Sequence, residues 1–357
     1  MKLRAALLTC VIVLAAQAQD FSTIPLKDPF SSFNAAPVEE IQISGKAFAT
    51  IRNGDYVHPT FSPDGKFLAY SRVIVRRNFE NTEVLLYRLS TGKTSVLLNS
   101  QRARKYGTYK AYVSDMNWTS PRRLAVVISD GDVDSTRLTF DPYTRRLLRE
   151  RHEGGDEIEP RPLSPVYKQA RQQAVTLFPE FPRNVLDNAL ADFPVVLPGK
   201  GIVLQKNYAG HDEDVWFLDF QGKSVKRLMD LPEDAPRTFR GGLSFGSAII
   251  IALDRGSKTY LFLYQDDKIK PLTEIKSSGV SWIEIKHRSS EGVVFLVRTQ
   301  PTYERGDNPL FIFNGDRLLQ VKEYPELYDA AVDPAGQRIA FCYWQGERRH
   351  IVIKDLG

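Results

Sequence analysis

Few residues in this chain have the types and spacing that chemistry requires, and each candidate has to be judged by its local context. Gly242-Leu243-Ser244-Phe245-Gly246 fits the G-x-S-x-G pattern of a nucleophile elbow. An elbow needs a strand before the serine and a helix after it, so that Oγ is held exposed above a parallel sheet. Here "AIIIAL" follows, which reads as a strand, so the pattern falls at a turn between strands and predicts no catalysis. Asp130-Gly131-Asp132-Val133-Asp134 resembles the start of a calcium loop. Such a loop needs Gly at its sixth position and a bidentate Glu at its twelfth, where this chain has Ser135 and Asp141. His211-Asp212-Glu213-Asp214 holds four ligand-type side chains, which strand alternation would divide between two faces. His58, His152, His287 and His350 lie in unlike surroundings without metal spacing, and His58, just before Pro59, reads as structural. With no phosphate-binding glycine loop and no dinucleotide fingerprint, the sequence predicts no metal and no cofactor.

The elements that must position any site are short strands. In "HPTFSPDGKFLAYSR", Pro63 presets φ, Asp64 tolerates the bend and Gly65 takes a positive φ at no steric cost. Four strands follow in a little over forty residues: "HPTF", "KFLAYSRVIV", "TEVLLYRL" and "TSVLLN". That is the period of a propeller blade. Similar copies begin near residues 113, 201, 238, 280 and 330, with Trp118 in the place of Phe61. In the last copy Asp333-Pro334-Ala335-Gly336 restates the turn, and the copy stops after three strands. "EEIQISGKAFATI" at 39–51 can supply the fourth, and closing a ring in this way removes an exposed sheet edge.

"PTFSPDGKFLAY" and "VDPAGQRIAF" resemble the repeat of TolB-type six-bladed propellers, which also builds the propeller of prolyl-oligopeptidase-family enzymes. The resemblance implies an all-β fold of six blades closed by the N-terminal strand over residues 39–357. It also implies binding of a protein or peptide. The resemblance is to the propeller alone: neither the separate N-terminal domain of TolB, for which 19–38 is too short, nor the hydrolase domain of the peptidases is expected. A short helical insertion is expected at about 151–195, between the second and third blades. There Ser164-Pro165 can cap a helix, with Val166, Ala170, Ala174 and Leu177 at helical spacing.

Composition is that of a folded protein, with 42% apolar and 25% charged residues in 357. Residues 1–18 read as a signal peptide: Lys2 and Arg4, an apolar run too short to stay in a bilayer, and Ala16-Gln17-Ala18 before the cut. Cleavage would lower the formal charge from +5 to +3 and leave Cys342 as the single cysteine, within an apolar run. A periplasmic or secreted monomer is expected, with no stable membrane insertion and no nucleic acid partner.

In a propeller, the loops between second and third strands share a face with the links between blades, and loops of this kind carry function. That face would gather Arg76, Arg77, Arg102, Arg104, Lys105, Arg348 and Arg349, with acidic tips at 130–134 and 212–214. Tyr106, Tyr109 and Tyr303 add rigid amphipathic contacts of the kind enriched at interfaces. The sequence therefore favours a non-enzymatic module that binds a protein or peptide of the cell envelope through this face. The alternative is a metal-dependent lyase or hydrolase with its site in the central funnel.

Overall fold

The tight turns form because one side-chain oxygen organises each of them. In the computed structural model, Ser62 Oγ accepts the Lys66 and Phe67 N–H groups at 3.1 and 3.0 Å, and Gly65 N donates to Ser62 O at 2.9 Å. Gly65 has φ +64°, which needs no Cβ. Asp333 takes the same part in the last copy. Its Oδ1 accepts from Gln337 and Arg338 N at 2.6 and 3.0 Å, and Gly336 has φ +69°.

The structure describes residues 26–31, 33–43, 46–76, 79–107, 110–130, 134–153, 165–181, 186, 195–206, 214–231, 239–277, 282–299 and 305–356. The signal-peptide reading of 1–18, "HDE" at 211–213 and most of the insertion at 151–195 lie outside them. The chain divides into two compact units, Met1–Ala36 with Leu163–Glu274, and Pro37–Pro162 with Ile275–Gly357.

In the first unit, one sheet runs Val195–Leu197, Gly201–Lys206, Asp214–Asp219 and Ser224–Asp230, with Leu26–Lys27 added in parallel to the last strand. Sequence reasoning began this copy at 201 and so missed its first strand. The second sheet is Phe239–Phe245, Ala248–Arg255, Lys258–Gln265 and Lys268–Lys276. Its residues Ile249 to Leu253 are wholly buried, because side chains on both faces of the strand have neighbours. The helix Pro165–Leu177 packs Tyr167, Ala170 and Ala174 onto Ile202, Leu204 and Leu218. Ala170 and Ala174 keep the expected stripe, but Tyr167 and Phe178 are buried beside the expected Val166 and Leu177, and Val166 is 50% exposed.

The second unit has four sheets of consecutively paired antiparallel strands. The first is Asp55–Phe61, Phe67–Arg76, Phe79–Arg88 and Lys93–Leu98; the next is Tyr112–Ser120, Arg123–Ser129, Ser135–Asp141 and Arg146–Glu153. Another is Trp282–Arg288, Val293–Arg298, Leu310–Phe313 and Leu318–Val321, with Glu39–Ile41 added in parallel to the last strand. The fourth is Leu327–Val332, Arg338–Gln345 and Arg348–Asp355, and its fourth strand is Ala47–Ile51, antiparallel to Arg348–Asp355. The N-terminal segment thus completes the last sheet, as its sequence suggests. Cys342 is wholly buried there, with Sγ 3.1 Å from Tyr56 O.

Candidate functional site

The segment after the first sheet is pinned before it can present its basic side chains. Asn99 Oδ1 accepts Arg102 N at 2.9 Å and starts the short helix Ser100–Ala103, which runs on into a 3₁₀ turn at Arg104–Tyr106. Asn81 Nδ2 donates to Ser100 O at 2.6 Å, and Ala111 N donates to Glu80 O at 3.0 Å. Ala103 and Ala111 are buried in the core. Small apolar anchors between charged residues leave Arg102, Arg104 and Lys105 exposed.

These residues line an open groove of about 940 Å³. One wall is Arg102, Arg104, Lys105 and Tyr106; the other is Asp130, Asp134, Glu150 and His152. Tyr106 Oη donates to Glu150 Oε2 at 3.0 Å, which ties the walls together. Burial first, and then that bond, raise the Tyr106 phenol above its ordinary value. His152 Nδ1 lies 3.3 Å from Thr136 Oγ1, and its Nε2 lies 3.9 Å from Asp134 Oδ1. A groove with cations on one wall and carboxylates on the other can hold an extended segment in one orientation.

Of the expected contact residues, Arg102, Arg104, Lys105 and Tyr106 come together. Arg77, Tyr109 and Tyr303 lie outside the described residues, as does the side chain of Arg76. Arg348 is exposed on the last hairpin. Arg349 is not an exposed contact: it is 4% exposed, and its Nε and Nη2 donate to Asp55 at 2.7 and 2.6 Å. Neighbours on a strand face opposite ways, so the two arginines part. Asp214 is likewise buried, its Oδ2 2.7 Å from Arg227 Nε. Ser244 sits on a strand, with Oγ donating to Val196 O at 3.0 Å.

Sequence reasoning missed a buried charged cluster in the second unit. Glu284 accepts Trp282 Nε1 and Arg298 Nε on Oε1, both at 2.9 Å, and Lys286 Nζ and Arg298 Nη2 on Oε2 at 2.7 and 3.2 Å. Asp329 Oδ1 lies 2.7 Å from Lys286 Nζ and 2.9 Å from Arg298 Nη2, and accepts Ala330 N at 2.7 Å. Arg298 Nη1 donates to Tyr328 O. Burial alone would raise both carboxyls, yet the two cations outweigh it and hold Glu284 and Asp329 below their ordinary range. His58 belongs to this cluster. It lies within its strand, where the register shifts between Val57 and Thr60, and has φ +54°. Burial above all lowers its pKa to about 4. Four donors fill the four lone-pair positions of Glu284, so that carboxylate has no place left for a ligand.

Among the described residues, no group of three or more His, Cys, Asp or Glu side chains could hold a metal ion. No helix among them is long and apolar enough to cross a membrane.

No family model and no characterised protein matches the chain. Among solved structures, it is similar to acylaminoacyl peptidase of Pyrococcus horikoshii at 10% identity and a TM-score of 0.31, over 85% of this chain and 46% of that one. It is similar to a prolyl endopeptidase at 11% identity and a TM-score of 0.32, over 87% of this chain and 42% of that one. The chain therefore spans under half the length of these two peptidases. A third likeness, at 11% identity and a TM-score of 0.30, is to the β-propeller domain of the Trilobed protease from Pyrococcus furiosus, over 85% of this chain and 83% of that domain. Likeness at these scores carries no argument about activity.

Proposed function

We propose that the chain is an exported six-bladed β-propeller of the TolB-like type that binds a protein or peptide partner, with the groove at 102–152 as its binding site. Six sheets, and an N-terminal strand that completes the last of them, support the blade count. The observation that carries the binding reading is the groove itself. Arg102, Arg104 and Lys105 are held on a pinned segment facing Asp130, Asp134 and Glu150, and Tyr106 stands between them. A preset arrangement costs less entropy on binding than a loose loop would. The funnel-enzyme reading draws less support, because the acceptor positions of Glu284 are filled by its own neighbours.

The test is affinity capture from envelope extract with the mature chain and with a variant carrying Arg102→Ser, Arg104→Ser and Lys105→Ser. A stoichiometric partner held by the first and lost by the second is the expected result. A partner held equally by both would move the site elsewhere, and turnover of an ester, lactone or peptide substrate by the purified chain would replace the reading.

A further inference from the structure

The last hairpin holds a second polar site, which shares no residue with the groove. Pairing of Arg338–Gln345 with Arg348–Asp355 sets Trp344 opposite Arg349. The Arg349 guanidinium carbon lies 4.7 Å from the ring centroid of Tyr328 and 4.7 Å from that of Trp344. Its Nε and Nη2 are used on Asp55. Its Nη1 is buried with no acceptor among the described residues, and so is Trp344 Nε1. Both atoms can only donate, and buried donors are nearly always paired in native structures. The contrast with Glu284, whose every acceptor position is filled, is direct.

The surroundings indicate the charge of the missing acceptor. Arg52 and Arg348 are exposed and make no ion pair with any described residue. After burial, these two cations are what hold His350 below the ordinary histidine value. Asp55 is the one carboxylate set against these arginines in the surroundings of His350. The Asp55 side chain is 22% exposed and Trp344 is half-buried, while the two donor atoms themselves are buried. An anionic acceptor that carries two oxygens has one oxygen for each donor.

We propose that Arg349 and Trp344, rimmed by Arg52 and Arg348, form a carboxylate-binding site. Two sources share that chemistry: the C-terminus of a peptide, and an Asp or Glu side chain within one. Guanidinium between aromatic rings suits either, since the rings fix its plane while its free edge donates.

The test uses the indole N–H resonances of the ¹⁵N-labelled whole chain, which has four tryptophans. Trp344→Phe identifies the Trp344 signal and keeps an aromatic ring over Arg349. Three probes are added at millimolar concentration: acetyl-trialanine with a free carboxyl end, its C-terminal amide, and acetyl-Ala-Asp-Ala-amide. The Trp344 resonance should move downfield with the first or the third probe and stay in place with the neutral amide, and the probe that moves it names the source. Calorimetry should show that probe binding Trp344→Phe about tenfold more weakly, the loss expected for one hydrogen bond to a charged group. No movement with either carboxylate, equal movement with the neutral amide, or unchanged affinity in Trp344→Phe would each overturn the proposal. Capture through the groove would stand in every one of these cases, because the serine triplet leaves this hairpin untouched.

Discussion

Arg349 grips Asp55 with two nitrogens across 294 residues of chain, Nε at 2.7 Å and Nη2 at 2.6 Å, and the Arg349 backbone N–H adds a third bond at 3.0 Å. The pair joins the last hairpin to the first strand of the opening sheet. Arg349 and Arg298 both lie over the Tyr328 ring, and Arg298 and its partner Asp329 are 7% and 3% exposed. Charged side chains this deep are tolerated only because each finds its opposite, and removing one partner costs far more than the pair contributes.

Asp55→Asn should therefore destabilise the protein by about 3 kcal/mol, since it leaves a buried guanidinium without its counter-charge. Urea denaturation followed by far-ultraviolet circular dichroism measures this. A change of under about 0.5 kcal/mol, the range of ordinary surface substitutions, would show that the pair is not a structural tie.

Stability should also fall as the solution is acidified from about pH 6.5 towards pH 4. His58 has its folded pKa lowered to about 4, whereas in an unfolded chain it titrates near 6.5. Between those values the unfolded chain takes up a proton that the folded one refuses, so unfolding is favoured as pH drops. Further loss follows below about pH 4, where the unfolded forms of Glu284 and Asp329 protonate while their folded forms, held low by Lys286 and Arg298, stay charged. His58→Asn keeps a residue that tolerates positive φ and should flatten the dependence between pH 6.5 and 4. Parallel curves for variant and parent would contradict the assignment to His58.

Two glycines should respond differently to alanine. Gly65 has φ +64° with nothing within 4 Å of a built Cβ, so Gly65→Ala meets backbone strain alone, about 1 kcal/mol. At Gly201 a Cβ would lie 2.2 Å from the Leu218 carbonyl oxygen and 2.5 Å from the Phe217 ring. A paired strand cannot give way there, and Gly201→Ala should cost about 3 kcal/mol. Thermal midpoints of the two variants rank them, and equal shifts would contradict the contact argument.

What the sequence disclosed follows the range of the interactions involved. The turns at Ser62 and Asp333 were legible because Pro, Gly and an oxygen-bearing side chain lie within five residues and fix the geometry locally. So was the basic wall of the groove, since Arg102, Arg104, Lys105 and Tyr106 are nearly contiguous. The parallel additions at Leu26–Lys27 and Glu39–Ile41 are two and three residues long, too short to show a period, and their partners are some two hundred residues away or more. The charged cluster was illegible for the same reason: His58, Glu284 with Lys286, Arg298 and Asp329 lie on four strands spread along the sequence. Arg349 was misread because adjacent charges at a hairpin tip look alike until pairing assigns them to opposite faces.

The central claim is that a partner contacts the groove, and photo-crosslinking tests it most directly. A benzoyl-phenylalanine placed at position 105 reports on the groove, and one at the exposed position 268 of the first unit serves as the reference. After irradiation in envelope extract, the account predicts one discrete crosslinked product from position 105, lost when Arg102 and Arg104 are also serine, and none from position 268. A product from 268 and none from 105 would contradict it.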